Sequence, residues 1–425
     1  MSGARPPIVL ATLGTAGDLH PFLAIARALQ EAGEPVRVLS QAAHRAAVEA
    51  RGLPFTPIAE LRASTRCFAH PKVWHPIDGL GVFWRHLLLP ALAPTVEALR
   101  ALRAAHPQAP LPVLAGPLVL GARLLAELDP GLRLLTGVTA PMALRSLGDP
   151  LCLGAWTVPR AVPRALRRLL WAGLDRWKLD PLAAPALNRW RAEAGLPPLG
   201  RGIFGDWLPS PRGVLGLYPA DFGPPPEPGR AWPVEALGFP RDEPGPRPAA
   251  VEPDGPPGRI VVYPGSVPTR SQDALAEAAW ALAAAGRPLV WIGAPPPAWA
   301  GRPRPAGLRD TPWTALPQAL AGAALFVHHG GIGATAQGLA AGLPQVLLPS
   351  AYDQFDNAER YALGFGPRPP RWALHRLPLR ERLEAALAEA PPARAAPDPA
   401  DYSWAGAPNA AVRRAVERLR ALRSA

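Results

Sequence analysis

Cysteine is nearly missing from this chain: of 425 residues only Cys67 and Cys152 are cysteine. They lie far apart and in no metal or redox spacing, which excludes a disulfide framework and points to a reducing compartment. Lysine is as scarce, with Lys72 and Lys178 alone, so the net charge of +12 is almost all arginine. The arginines are scattered, alongside abundant alanine and proline as a GC-rich coding bias produces. No basic stripe interleaves with aromatics, so nucleic acid is not expected as a partner. Long apolar runs are missing too. The opening "MSGARPPIVLATLGTAGD" ends its short apolar stretch in a glycine turn, unlike a secretory leader. Thr311–Tyr352 carries no Asp, Glu, Lys or Arg, yet Gly and Pro cut it well below the roughly 20 residues a membrane helix needs. The expected location is cytoplasmic.

What is present is an α/β rhythm. "PIVLATL" is a continuous apolar run, as in a strand buried on both faces. "GTAGD" reads as a turn, "HPFLAIARALQEAG" as a helix stopped at Gly33, and "PVRVLS" as the next strand, which together make a parallel βαβ unit. Pro112–Val138 repeats strand, helix, strand. Two aromatic- and leucine-rich inserts, "HPKVWHPIDGLGVFWRHLLLPALAP" and "LCLGAWTVPRAVPRALRRLLWAGLDRWKLD", break the rhythm, as segments that cover a ligand pocket do. Within the second, Pro163–Lys178 reads as an amphipathic helix, either an ordinary surface helix or one that touches an anionic membrane face. Proline and glycine crowd residues 222–258, the expected linker, after which a second α/β rhythm begins. The expected division is an N-terminal Rossmann-like domain (1–240), a C-terminal one (241–408) and a last helix (409–425) returning to the first. Two such domains bring both sets of strand C-termini to one cleft.

Chemistry concentrates in "FVHHGGIGATAQGLAAGLPQVLLP" (Phe326–Pro349). A strand ending in HHGGIG and feeding a helix aims backbone N–H groups and the positive helix end at one spot, an anion site that glycines let a phosphate approach. His328 or His329 can donate to a phosphate oxygen. Two other readings stay open here. Gly331, Gly333 and Ala336 fit the loose dinucleotide pattern, with Asp353 or Asp356 as ribose ligand. Alternatively the glycines serve helix-on-strand packing. Downstream, "LPQVLLPSAYDQFDNAER" puts Asp353, Gln354, Asp356 and Asn357 at the end of a neighbouring strand, where acids and amides suit sugar hydroxyls. A phosphate cradle beside a hydroxyl cradle implies a nucleotide sugar.

These residues, together with "LGTAGDLHPFLAIARAL", resemble the inverting, GT-B-fold UDP-glycosyltransferase superfamily. Within it, "LDPLAAPALNRWRAEAGLPPLGRGIFGDWLPSPRGVLGLYPADFGPP" and "WPVEALGFP" resemble the rhamnosyltransferases of bacterial rhamnolipid synthesis, in an order that matches along essentially the whole chain. The resemblance implies donor binding mainly by the second domain and acceptor binding mainly by the first. On it, His328 and the backbone of Gly330, Gly331, Gly333 and Ala334 hold the diphosphate, with a hydroxyl contact from Thr335. Asp353 and Gln354 hold the sugar. Gly14, Thr15, Gly265 and Ser266 approach the donor from facing turns, and Trp313 meets the base, core packing being its competing reading. Asp18 takes the place of the general base. His20, better matched by its ordinary pKa, can assist or replace it, and a plain helix-capping role is the alternative for Asp18. "VLAGP", with Ala115 and Gly116, leaves no acid to orient a histidine as plant members do. Trp74, Phe83, Trp84 and His20 face the acceptor, with Phe68, Trp156, Trp171 and Trp177 adding to an apolar load; core burial is the competing reading for each.

No metal and no cofactor are expected, since Asp-x-Asp does not occur in the chain. The implied activity is transfer of L-rhamnose from dTDP-L-rhamnose to a 3-(3-hydroxyalkanoyloxy)alkanoate lipid. Peripheral contact with the inner membrane and an upstream acyltransferase partner accompany that expectation. The rivals are a UDP-glucose transferase acting on a sterol or polyketide, a nucleotide-sugar epimerase, and an NAD(P) oxidoreductase.

Overall fold

The computed structural model describes residues 5–149, 151–154, 156–159, 161–223, 232–241, 256–265, 271–312, 316–364, 370–389 and 409–424. Two all-parallel sheets organise it. The first runs in the order β3-β2-β1-β4-β5-β8-β9, built from β1 (Ile8–Ala11), β2 (Val36–Gln41), β3 (Phe55–Ala59), β4 (Leu111–Ala115), β5 (Leu132–Val138), β8 (Val214–Gly216) and β9 (Val234–Ala236). The insert contributes a separate antiparallel hairpin, β6 (Leu151–Leu153) with β7 (Trp156–Val158). The second sheet runs β12-β11-β10-β13-β14, from β10 (Ile260–Tyr263), β11 (Leu289–Ile292), β12 (Leu308–Thr311), β13 (Leu325–His328) and β14 (Gln345–Leu347). The apolar runs read as central strands are buried along their whole length, β1 and β10 among them. Helices cover both faces of such strands, so uninterrupted apolar sequence is what this position requires.

In each sheet the strand order reverses at one point, between β1 and β4 and between β10 and β13. Loops leaving the strand C-termini diverge there and open a crevice. Gly14 and Gly116 follow β1 and β4; Gly265 and His329 follow β10 and β13. The two crevices form one cavity of about 1720 Å³ lined from both lobes.

The last helix (Ala410–Ala421) leaves the second lobe and packs on the first. Ala411, Val412, Ala415, Val416 and Leu419 join the core around β1 and the first helix (Ala16–Glu31). Asn409 caps it by accepting from Val412 N at 3.1 Å, and Arg420 pairs with Glu34 at 2.8 Å. Between the lobes, Ile332 and Ala336 pack with Tyr218, Phe222 and Phe239, while Arg360 bridges Asp356 (2.6 Å) and Asp149 (3.0 Å). Arg360 thus joins carboxylates that meet it from the two lobes, and a buried charge paired in this way favours one register of the lobes.

Two expectations need correction. "GTAGD" is not wholly a turn: the first helix begins at Ala16, with Thr15 as its N-cap. Asp18 is therefore the third helical residue, completing a capping box, and not the N-cap. The aromatic insert folds as a helix (Gly79–Phe83), a π-helical turn (Trp84–Leu88) and a long helix (Leu89–Ala105) packed on β3 and on the helix Leu120–Leu128. Of the expected linker, residues 224–231 and 242–255 lie outside the described ones; the first sheet ends at Ala236 and the second begins at Ile260. Among the described residues no helix is long and apolar enough to cross a membrane.

Candidate active site

Asp18 lines the cavity from the first turn of the first helix. Its Oδ2 accepts from Thr15 N (2.8 Å) and Thr15 Oγ1 (3.1 Å), and Thr139 also bonds the carboxylate. Burial nevertheless raises its pKa above the usual carboxylate range, these hydrogen bonds opposing the shift in part. That is the direction a general base needs. Gly14 is fixed by this arrangement: its φ is +139°, and a Cβ there would sit 2.3 Å from Asp18 Oδ2. The glycine makes room for the carboxylate, and its N–H donates to Gln41 Oε1 at 3.1 Å. His20 lines the same wall, as do Thr15 and Gly116.

Across the cavity lie Asp353 and Gln354. Asp353 has its pKa raised to about 7, first by burial and then by the charge of Asp18. The two expected site carboxylates, 335 residues apart in sequence, thus share one electrostatic neighbourhood. Asp353 also accepts from Asn357 Nδ2 at 2.8 Å. Gln354 Oε1 is held by Ser350 N, Ser350 Oγ and Ala351 N. This fork fixes which way the side-chain amide faces.

The glycine turn differs from expectation in detail. The His328 ring is fully buried, outside the cavity lining, and neutral. Its Nδ1 accepts from Gly330 N (3.0 Å), which leaves Nε2 to donate to Gln345 Oε1 (2.9 Å), and burial drives its pKa down to about 3. A ring with both nitrogens used inside the protein does not present a charged donor, so the role expected of it is corrected. Gly330 likewise turns away: its N–H is spent on His328 and its φ is +84°. Thr335 donates to Gly331 O at 3.0 Å and lies off the cavity wall. The cavity is instead met by Gly331, Gly333 and Ala334 at the start of the helix Ile332–Ala340, whose first N–H groups have no intrahelical acceptor. It is also met by the ring of His329. That ring stands edge-on to Tyr263 at 5.5 Å and is hydrogen-bonded to the Tyr263 backbone. Cβ atoms at Gly331 and Gly265 would lie 2.4 Å from its Nε2 and 3.1 Å from its Nδ1. Burial lowers its pKa to about 4, so unliganded His329 is neutral. Ser266 and Trp313 lie outside the described residues.

On the acceptor side, Phe68 stacks on Trp74 (6.1 Å), and Phe83 closes against Phe68 (6.2 Å). Trp84 is corrected: it is 1% exposed and packs in the core against Phe204. Consecutive helical positions diverge by about 100°, so Phe83 and Trp84 cannot share a wall. Trp156 and Trp171 do line the cavity. One residue passed over in the sequence is Tyr352. It reaches across the cleft, its hydroxyl donating to Val73 O, its ring edge-on to Trp74 (5.6 Å) and to Phe83 (6.4 Å). Its φ of +48° makes it the one positive-φ residue other than glycine among those described. A tyrosine is an unusual occupant of that region, and nothing in the local pattern announces it.

Two facing Rossmann-like sheets, a helix N-terminus open to the cleft from one and a buried carboxylate from the other define a glycosyltransferase of the GT-B fold. Residues 8–85 match the glycosyltransferase family 28 N-terminal domain, and residues 302–408 match the erythromycin biosynthesis protein CIII-like C-terminal domain. The chain is 30% identical over 398 residues to the O-mycaminosyltylonolide 6-deoxyallosyltransferase of Streptomyces fradiae, covering 85% of each, and belongs to its family. A shorter match, 38% over 86 residues and 20% of each chain, is to the elloramycin glycosyltransferase ElmGT of Streptomyces olivaceus. Among solved structures, the glycosyltransferase of kitacinnamycin has 25% identity and a TM-score of 0.61, over 99% of this chain and 95% of that one. Glycosyltransferase VinC in complex with dTDP has the same fold at 18% identity, with a TM-score of 0.58 over 98% of this chain and 95% of that one. The similarity therefore runs to macrolide and polyketide glycosyltransferases, a correction to the expected kinship with enzymes of rhamnolipid synthesis.

Proposed function

We propose that the chain transfers a 6-deoxyhexose, with inversion, from a thymidine diphosphate sugar to a hydroxyl of an apolar polyketide aglycone. The observation that carries this reading is the convergence of Asp18, Asp353 and the open helix end at Gly331–Ala334 on one cavity. Asp18 takes the proton of the acceptor hydroxyl, whose oxygen attacks the anomeric carbon as the diphosphate leaves. Charge growing on the diphosphate meets the N–H groups of the helix start. His329, neutral when alone, regains a proton beside that anion and takes over the role expected of His328. Gly265, with φ +101°, closes the opposite turn. Asp353 and Gln354 hold the sugar hydroxyls. Phe68, Trp74 and Phe83 offer flat apolar surface to the acceptor.

The Streptomyces fradiae relative, named for a deoxyallosyl group and an O-mycaminosyltylonolide, supports a deoxysugar donor and a polyketide over a hydroxyacyl lipid. A dTDP-bound relative in fold supports thymidine. The test is Asp18→Asn with dTDP-deoxyhexoses and macrolactone acceptors. Transfer should drop by about 100-fold or more while dTDP binding is kept, the share of rate that general bases contribute. EDTA should change neither. Transfer of glucose from its uridine nucleotide, or turnover of hydroxyacyl lipids alone, would redirect the assignment.

A further inference from the structure

The helix Arg164–Leu174 is built inside out. Leu166, Leu169 and Leu170 are 49%, 67% and 39% exposed, whereas Arg167 on the same helix is 1% exposed. A surface helix normally buries its leucines and leaves its arginines in water. Here buried arginines anchor it. Arg167 donates to the backbone oxygens of Leu147 (3.1 Å), Asp149 (2.6 Å) and Val162 (3.1 Å), fastening the helix to the β6–β7 hairpin segment. At the other end Arg145 forks onto Asp175 and lies over the Trp171 ring at 4.6 Å. The apolar face is thereby free to point outward. Trp177, just past the helix, is 76% exposed, and Trp156 on the hairpin is 82% exposed.

Charge on this face is mostly positive. Every acid from 149 to 180, namely Asp149, Asp175 and Asp180, is buried. Asp175 is held by Arg145, and Asp180 accepts from the backbone N–H groups of Gly202 (3.0 Å) and Ile203 (3.1 Å). Arg164, Arg168, Arg176 and Lys178 are exposed, and Asp78 from the neighbouring insert pairs with Lys178 at 3.8 Å and with Lys72 at 3.5 Å. The patch also adjoins the cavity, because Trp156, Trp171, Leu174 and Lys178 line its wall.

We propose that this face docks on a bilayer of anionic phospholipid. Leu166, Leu169, Leu170, Trp156 and Trp177 enter the headgroup boundary while Arg164, Arg168 and Arg176 meet the lipid phosphates. Exposed leucine and tryptophan ringed by arginine is the chemistry that such a surface recognises. A second copy of the chain fits poorly, since a two-fold contact would set the same arginines against one another, while the adjoining acid Asp78 is already engaged by Lys178 and Lys72. With the cavity wall continuous with the patch, an apolar acceptor dissolved in the bilayer reaches the aromatic pocket without crossing open water.

The test is co-sedimentation of the full chain with vesicles of phosphatidylglycerol and phosphatidylcholine in equal parts, against pure phosphatidylcholine. The full chain should sediment with the anionic vesicles and be released by salt. Each cation removed from the face, as in Arg168→Ala or Arg176→Ala, should weaken binding about fivefold, the loss expected for one charge near such a surface. Leu169→Glu with Trp177→Glu should abolish it, while dTDP binding and melting temperature stay unchanged because neither side chain is buried. Three results would overturn the proposal: no sedimentation with anionic vesicles at low salt, equal binding by the Leu169→Glu/Trp177→Glu variant, or a concentration-dependent dimer that this variant dissolves. The last would make the patch a protein interface.

Discussion

Asp353→Asn should make the unliganded protein more stable above neutral pH while impairing catalysis. Folding lifts the Asp353 pKa from 3.8 to about 7, by burial first and the Asp18 charge second. A carboxyl whose folded pKa lies above its unfolded one contributes fully below the unfolded value, and that contribution is lost as pH climbs through the folded value. The loss therefore runs between about pH 4 and about pH 7. Roughly three units at 1.36 kcal/mol each give about 4 kcal/mol as its upper size. Asparagine has no charge to suppress and can still accept from Asn357, whose Nδ2 lies 2.8 Å from Asp353 Oδ2. In urea titrations the variant should match the parent near about pH 4 and exceed it by up to about 4 kcal/mol near about pH 8. In an Asp18→Asn background the excess should shrink, because the second cause of the shift is gone. An excess of equal size at both pH values would mean that the gain comes from packing, and the electrostatic reasoning would fail. Donor KM should rise in the variant throughout, as a sugar contact is lost.

Gly14→Ala should cost at least tenfold in kcat and little in dTDP affinity, since the new methyl group displaces Asp18 Oδ2 and sits on a left-handed backbone; steady-state kinetics with calorimetry separate the two. Tyr352→Phe removes only the hydroxyl that bonds Val73 O across the cleft, so acceptor KM should rise about threefold to tenfold, one neutral hydrogen bond, with dTDP binding unchanged. Leu419→Ala, at a fully buried position where the last helix meets the first lobe, should lower stability by about 2–5 kcal/mol in urea titration. His329→Ala should weaken dTDP binding, whereas His328→Gln should disturb the turn's folding more than the affinity; a thermal-shift series with and without dTDP tells them apart.

The parallel sheets and the position of the cavity were legible because buried strands leave continuous apolar runs and glycine turns mark their ends. Asp353 and Gln354 were legible because polar residues in the segment after a buried strand tend to face the cleft, whereas Asp18 was legible only through the family resemblance, sitting in the first turn of the helix after β1. What failed was finer than the element. Of the two histidines of HHGG, His328 ends the strand and His329 opens the turn after it, and one ring goes inward while the other meets the cleft. Composition cannot say which, and the buried Gln345 that claims His328 sits on the neighbouring strand, 17 residues on. The glycines were read as room for a phosphate. In the structure Gly14 makes room for Asp18, and Gly265 and Gly331 make room for the His329 ring, so the motif shapes protein against protein before any ligand arrives. Helix Arg164–Leu174 carried the opposite lesson. Its amphipathic spacing was plain, but spacing gives two faces and not their direction. The direction was set by carbonyls of Leu147, Asp149 and Val162 that needed a donor, and Arg167 supplied it. Once a guanidinium is buried to satisfy backbone, the leucines beside it are left to water or to whatever the surface was made to meet.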